Sequence, residues 1–266
     1  MQLKVMCYNT WLCNNIKGIA KHIANINPDV VGLQEIMENY PNNGDPCTAF
    51  TLNGILRKRH HKEYFLSYFP AFVSDRHTSK RIIGDAILSR FPPIKSQSLF
   101  LSSPEMYFSR LPTTPPRDAE PRIAVEILLK LDGKTLRFIN VHLGVSENRT
   151  PTQYTRIQVT NLLKLIGNGN NTILMGDFNI TPDTSYIKQI EQIMTNTDKQ
   201  QKPTWAYLNE STVEHYGVYG KSVKDIPLLT HRIDQIFVGK GLETVSFKLG
   251  KSKASDHRSL IANIQI

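Results

Sequence analysis

Cysteine is scarce in this chain of 266 residues, with only Cys7, Cys13 and Cys47 present. They lack paired metal-ligand spacing and are too few to staple a chain of this size, which excludes a disulfide scaffold and points to a reducing compartment. Long hydrophobic runs are also missing. The N-terminus, Met1 to Cys7, runs straight into strand-like sequence without a basic n-region or a long apolar h-region, and nothing later reaches membrane-spanning length. The expectation is a cytoplasmic or otherwise intracellular protein with no cleavable signal peptide and no transmembrane segment. Acidic residues are in deficit, 23 against 32 Lys and Arg, for a formal charge of +9. That balance favours phosphate-containing partners, either a polyanion or an anionic membrane, without choosing between them. Neither a repeat of solenoid period nor a linker divides the chain, so one domain over residues 1–266, acting as a monomer, is expected.

Hydrophobic residues make up 40% of the chain and charged residues 21%, an ordinary globular composition with enough material for a large core. Residues 3–8 read as a buried strand ending at Asn9. Ile16, Ile19, Ala20 and Ile23 then repeat at helical spacing. Asn27-Pro28-Asp29 stops that helix, and Val30 to Leu33 forms a second strand ending at Gln34-Glu35. Two apolar strands joined by a crossover helix lie parallel, so Asn9 and Glu35 should emerge at one sheet edge.

A turn-rich stretch, residues 39–46, leads into a helix from about Cys47 to His61. Its last turn is basic, suiting either the helix dipole or a phosphate. Gly84 to Arg90 is strand-like. The proline-rich segment 102–121 holds Met106, Tyr107 and Phe108 beside Arg110, a set suited to core packing, base stacking or a lipid surface. Two strands, Arg122–Leu131 and Thr135–Val145, flank a turn at Asp132-Gly133. A helix starts near Thr150-Pro151 and buries Val159, Leu162, Leu163 and Ile166. Ile173 to Gly176 is a buried strand opening into Asp177-Phe178-Asn179. Asp183 is the expected cap of a helix facing the core with Ile187, Ile190 and Met194. Residues 206–230 read as loop, and three strands, 232–238, 244–249 and 259–266, complete the chain.

Polar residues gather at the ends of these strands. Asp177 and Asn179, two apart, point to one side if the extended conformation persists, and both could then face one phosphate and its attacking water. Each residue also has an ordinary use. Asn9, Asp177 and Asn179 suit turns, Glu35 a solvated loop, His142 a half-buried site, Asp234 a pairing with Arg232, and Asp256 a turn or cap.

Taken together, Tyr8-Asn9, Leu33-Gln34-Glu35, Gly84 to Arg90, Asn140-Val141-His142-Leu143, Gly176-Asp177-Phe178-Asn179, Arg232 to Phe237 and Ser255-Asp256-His257 resemble the endonuclease/exonuclease/phosphatase superfamily from residue 5 onward. The resemblance implies an α/β fold, a four-layer sandwich of two packed mixed β-sheets flanked by helices. It also implies Mg²⁺-dependent phosphoester hydrolysis, with Mn²⁺ able to substitute. Glu35 would be a metal ligand, with the Asn9 amide oxygen close by and Asp256 joining directly or through water. Asp177 would position or deprotonate the attacking water, and Asn179 would donate to a phosphoryl oxygen. His257, oriented by Asp234, would contact phosphate or transfer a proton. His142 would contact phosphate or assist the leaving group, and the general base is left open. Asp85 stands where the family usually has Asn. Trp11 replaces an acidic residue found in some abasic-site enzymes, which weakens a repair-endonuclease and two-metal reading. Pro203-Thr204-Trp205 also resembles the family, beside the simpler use of a packed tryptophan. Nucleic acid is the expected partner. An anionic lipid or inositol phosphate, and a non-catalytic binding module, are the alternatives.

Overall fold

The structure, a computed structural model, describes residues 1–39, 49–74, 81–102, 117–146, 149–199, 202–205 and 231–266. Most of the turn-rich stretch 39–46, Cys47, the group Met106, Tyr107, Phe108 and Arg110, and the segment 206–230 lie outside the described residues.

Strand β1 (Gln2–Asn9) sets the pattern for the molecule. Its odd-numbered Leu3, Val5 and Cys7 point into one core, and Met6 and Tyr8 point into another. That is the two-residue period of a strand buried on both faces. Helix α1 (Ile16–Ile26) follows, with the Asn15 side chain accepting the Gly18 N–H at 2.9 Å and Asn27 closing the C-terminus at φ 54°. Its buried Ile19, Ala20 and Ile23 match the expected helical face. Strand β2 (Val30–Asn39) pairs parallel with β1, Cys7 opposite Gly32. It does not end at Gln34-Glu35 as the polar pair suggested. It passes through a bulge between Leu33 and Ile36 and continues, because apolar residues resume on the far side.

Helix α2 (Ala49–His60), strand β3 (Phe65–Ser74), strand β4 (Arg81–Ser89) and strand β5 (Lys95–Phe100) come next. Strands β6 (Ile123–Leu131) and β7 (Lys134–His142) form the expected hairpin. Helix α3 (Gln153–Ile166) is capped by Thr152, whose hydroxyl accepts from the Tyr154 and Thr155 N–H groups. Strand β8 (Thr172–Asp177) pairs parallel with β7. The cap of helix α4 (Ser185–Glu191) is Thr184, accepting the Ile187 N–H, rather than the expected Asp183. Met194 is buried beyond the end of that helix. Strands β9 (Thr195–Asn196), β10 (Asp234–Val238), β11 (Glu243–Leu249) and β12 (Leu260–Gln265) complete the set.

These strands form two six-stranded sheets, β11-β12-β1-β2-β4-β3 and β5-β6-β7-β8-β10-β9. Each has one central parallel pair, β1 with β2 and β7 with β8, and antiparallel pairs outside it. The parallel pair in each sheet is joined through a helix, α1 or α3, as the crossover geometry demands. Between the sheets lies one core, with Leu3, Val5 and Ile87 from one sheet against Ile127, Phe138, Ile173 and Ile236 from the other. Helices α1 and α2 cover the outer face of the first sheet, and α3 and α4 that of the second. The result is a four-layer α/β sandwich, as the resemblance implied. Equivalent ends of the two parallel pairs bring Asn9 and Glu35 in one sheet opposite His142 and Asp177 in the other.

Candidate active site

Glu35 is the extra residue of the β2 bulge: Leu33 pairs with Ala86 and Ile36 with Gly84, leaving two residues, Gln34 and Glu35, against Asp85 alone. Its φ of 56° turns the strand locally, a device that re-aims a side chain at a sheet edge. The Asn9 amide nitrogen donates to Glu35 Oε1 at 3.3 Å and to Asp177 Oδ2 at 2.9 Å, joining carboxylates from both sheets. The Asn9 oxygen accepts the Trp11 N–H at 3.0 Å. Asn9 therefore presents its donor side to the carboxylates, and its oxygen is turned to the backbone.

The extended conformation assumed for Asp177 and Asn179 does not persist, because Asn179 takes φ 53°. The turn closes on itself, with the Asn179 N–H donating to Asp177 Oδ1 at 2.9 Å. The Asn179 amide nitrogen donates to the Leu143 carbonyl at 2.9 Å, and its oxygen accepts from Arg149. Among the described residues its second amide hydrogen meets no acceptor.

Two buried histidines flank Asp177 Oδ2, each with Nε2 at 3.8 Å. They are held in opposite ways. His257 Nδ1 donates to Asp234 at 2.9 Å; although burial disfavours its cationic form, Asp234 and Asp256 hold its pKa up to about 10. His142 Nδ1 faces Arg122 Nη1 at 3.2 Å, and burial together with that guanidinium keeps its pKa well below the usual histidine value. Its Nε2 lies 3.8 Å from Glu35 Oε1 and has no hydrogen-bond partner among the described residues. Asp234 pairs with His257, the arrangement the resemblance implied, and its ordinary alternative, a pairing with Arg232, is not formed. Arg232 instead binds Asp198 at 3.1 Å.

The Ser255-Asp256-His257 turn is tied to β1, since Ser255 Oγ donates to the Asn9 carbonyl at 2.8 Å and accepts the His257 N–H. Asp256 accepts the Trp205 indole N–H at 3.1 Å. Trp205 thus borders the site as more than packing, and Arg149 lies over its ring at 4.4 Å. Thr204 Oγ1 accepts the backbone N–H groups of Ile233 and Asp234, fixing the start of β10.

Asn9, Glu35, His142, Asp177, Asn179, Asp234, Asp256 and His257 are linked in one cluster, buried except for the half-buried Glu35. Reasoning from sequence missed Arg122 and Arg149. Arg122 opens a recognised strand beside His142, which is the signal that could have found it. Arg149 sits in a loop, where spacing carries no such signal.

Burial, and then the neighbouring Asp256, pushes the Glu35 carboxyl up to about 7. Asp177 rises to about 6 through burial and Asp234. Crowded carboxylates of this kind are what a hard divalent cation relieves, and oxygen donors suit one, so the residues fit a metal. Asp177, Asp234 and His257 also bring one potential ligand atom each within 4.8 Å of one another. The His257–Asp234 hydrogen bond already joins two members of that trio, so the carboxylates facing away from it are the better oxygen donors.

The family model for the Endonuclease/Exonuclease/phosphatase family matches residues 6–257. Among solved structures, an endonuclease/exonuclease/phosphatase from Beutenbergia cavernae has 18% identity and a TM-score of 0.75, covering 100% of this chain and 72% of that one. A family protein from Leptotrichia buccalis has 19% identity and a TM-score of 0.70, covering 99% and 100%. D. rerio TDP2 complexed with a single strand DNA product has 18% identity and a TM-score of 0.64, covering 100% and 99%. At these identities the likeness is one of fold. No curated protein matches. A family match that starts within β1 and runs to His257 takes in every strand but β12 and all the polar strand ends described above, and the chain belongs to the endonuclease/exonuclease/phosphatase family.

Proposed function

We propose that this protein is a Mg²⁺-dependent phosphodiesterase acting on nucleic acid, with residues 1–266 forming one catalytic domain. The observation that carries this reading is the pair of buried histidines on either side of Asp177, one cationic beside Asp234 and one neutral beside Arg122. Glu35 and Asp256 would hold the cation, and Asn9 would keep Glu35 and Asp177 in register by donating to both. When bound, Mg²⁺, or Mn²⁺ in its place, supplies neutralisation of the charge on the phosphate and leaving oxygen.

Asp177, poised near neutrality at about 6, orients and deprotonates the attacking water. His257, charged at neutral pH, contacts a phosphoryl oxygen. His142 offers its unpartnered Nε2 to the phosphate or leaving oxygen. Asn179 has one amide hydrogen left for a phosphoryl oxygen, and Arg149 holds its carbonyl end. The formal charge of +9 supports a polyanionic or membrane-borne phosphoester, and the likeness in fold to D. rerio TDP2 complexed with a single strand DNA product leans the choice toward nucleic acid.

The test is a panel of DNA, RNA, inositol phosphates and sphingomyelin with Mg²⁺ or chelator, run beside Asp177→Ala and His257→Ala. Hydrolysis of a nucleic acid strand in Mg²⁺, abolished by chelator and lowered at least ~100-fold by either substitution, is the expected result. Activity that survives both substitutions ends the proposal, and turnover of lipid or inositol phosphate alone transfers it to that substrate class.

A further inference from the structure

A groove of about 600 Å³ lies between α1 and the chain joining β11 to β12. Lys21, Lys248, Lys251 and Lys253 line it, and among the described residues no carboxylate does. Its floor is apolar, with Ile26, Leu249, Ala254 and Ile261 among its lining residues. Two glycines permit this closeness of helix and connection. A Cβ at residue 18 would stand 2.9 Å from the Ala254 Cβ, and one at residue 250 would stand 2.1 Å from Ser259 Oγ. Beneath the lysines, His22 Nε2 and Ser259 Oγ are 2.8 Å apart, so the histidine fastens the helix to the connection.

The position of the groove gives it a use. Ala254 lines it, Ser255 binds the Asn9 carbonyl, and Asp256 and His257 enter the site. Two residues of extended chain span at most ~7 Å, so the Ala254 end of the groove lies within about that distance of Asp256. Lysines on flexible stems suit phosphates as point charges, and an apolar floor suits the faces of bases.

We propose that this lysine-rimmed groove binds the phosphate backbone of a single nucleic acid strand where it continues past the cleaved bond. The inference rests on the nucleic-acid reading above and adds where the uncleaved part of the strand lies. Lys21, Lys248 and Lys251 are exposed and belong to no part of the catalytic cluster, so replacing them leaves the chemistry in place.

The measurement is fluorescence anisotropy of a labelled oligothymidylate of about twelve nucleotides, in EDTA, between about 50 and 200 mM salt. The Lys21→Ala/Lys248→Ala/Lys251→Ala variant is compared with wild type and with the corresponding triple arginine variant. The alanine variant should bind at least ~10-fold more weakly at the lower salt, with a log–log salt slope shallower by about 2 for three lost phosphate contacts. The arginine variant should restore both. Wild type that binds no strand, or an alanine variant that binds as wild type does, overturns the groove. So does an alanine variant that keeps strand affinity and loses only binding to phosphatidylserine vesicles. Hydrolysis of bis(4-nitrophenyl) phosphate with Mg²⁺ is followed separately. Its absence from all three proteins would fail the enzymatic reading and leave the binding result to judge the groove alone.

Discussion

Asp85 is a carboxyl buried beside the bulge that carries Glu35, and burial pushes its pKa up to about 8 against the pull of Arg122. An unfolded Asp ionises near ~3.9, so the folded chain holds this proton more tightly. Stability from that proton is fully present below about pH 4 and is lost as pH rises through about 8. Asp85→Asn keeps an acceptor oxygen and removes the titration. The thermal midpoint of the variant should exceed that of wild type by at least ~2 °C at pH 9, with the gap closing toward pH 4. A gap that does not vary with pH would contradict the account. Glu35 makes a second prediction at this scale. With its carboxyl pushed up to about 7, protons compete with a cation for it, so Mg²⁺ affinity measured by calorimetry should fall from pH 8 to pH 6. Glu35→Gln should bind Mg²⁺ at least ~10-fold more weakly and flatten that dependence.

Elements place these residues through a few close approaches. A Cβ on Gly176 would meet the Val141 carbonyl oxygen at 2.1 Å, inside the parallel β7–β8 pair that presents His142 and Asp177. Gly176→Ala should therefore cost about 1–3 kcal/mol in urea unfolding and misplace Asp177 by wedging the strands apart. Activity should fall further than the folded fraction does, and an unchanged specific activity per folded molecule would count against it. The same elements show what the sequence made legible. Asn9, Glu35, His142 and Asp177 were recognisable because each follows a run of apolar residues, and such runs announce strands buried on both faces. Strand β5, Lys-Ser-Gln-Ser-Leu-Phe, was not, because an edge strand needs little burial and its polar side chains hide the pattern. Strand β3 carries Pro70 at a bulge, which breaks the alternation a reader looks for. The left-handed turn at Asn179 and the pairing of Arg232 with Asp198 depend on contacts distant in sequence, which local spacing does not encode.

The whole molecule is held by the core between the sheets. Phe138 is fully buried there, packed among residues from both sheets. Phe138→Ala should cost about 3–5 kcal/mol, and circular dichroism and tryptophan fluorescence should lose their signals at one shared, lowered urea midpoint. Separate midpoints would mean that the sheets unfold independently. The strand order carries a further consequence for how the protein is made. In the first sheet β12 lies between β11 and β1, pairing Gln265 with Gln2, and the turn entering it carries Asp256 and His257. During synthesis, β1, β2 and β4 leave the ribosome with that place beside β1 unfilled. The nascent chain therefore carries Asn9, Glu35, His142, Asp177, Asn179 and Asp234 before Asp256 and His257 follow, and the cluster is incomplete until the last described strand is seated.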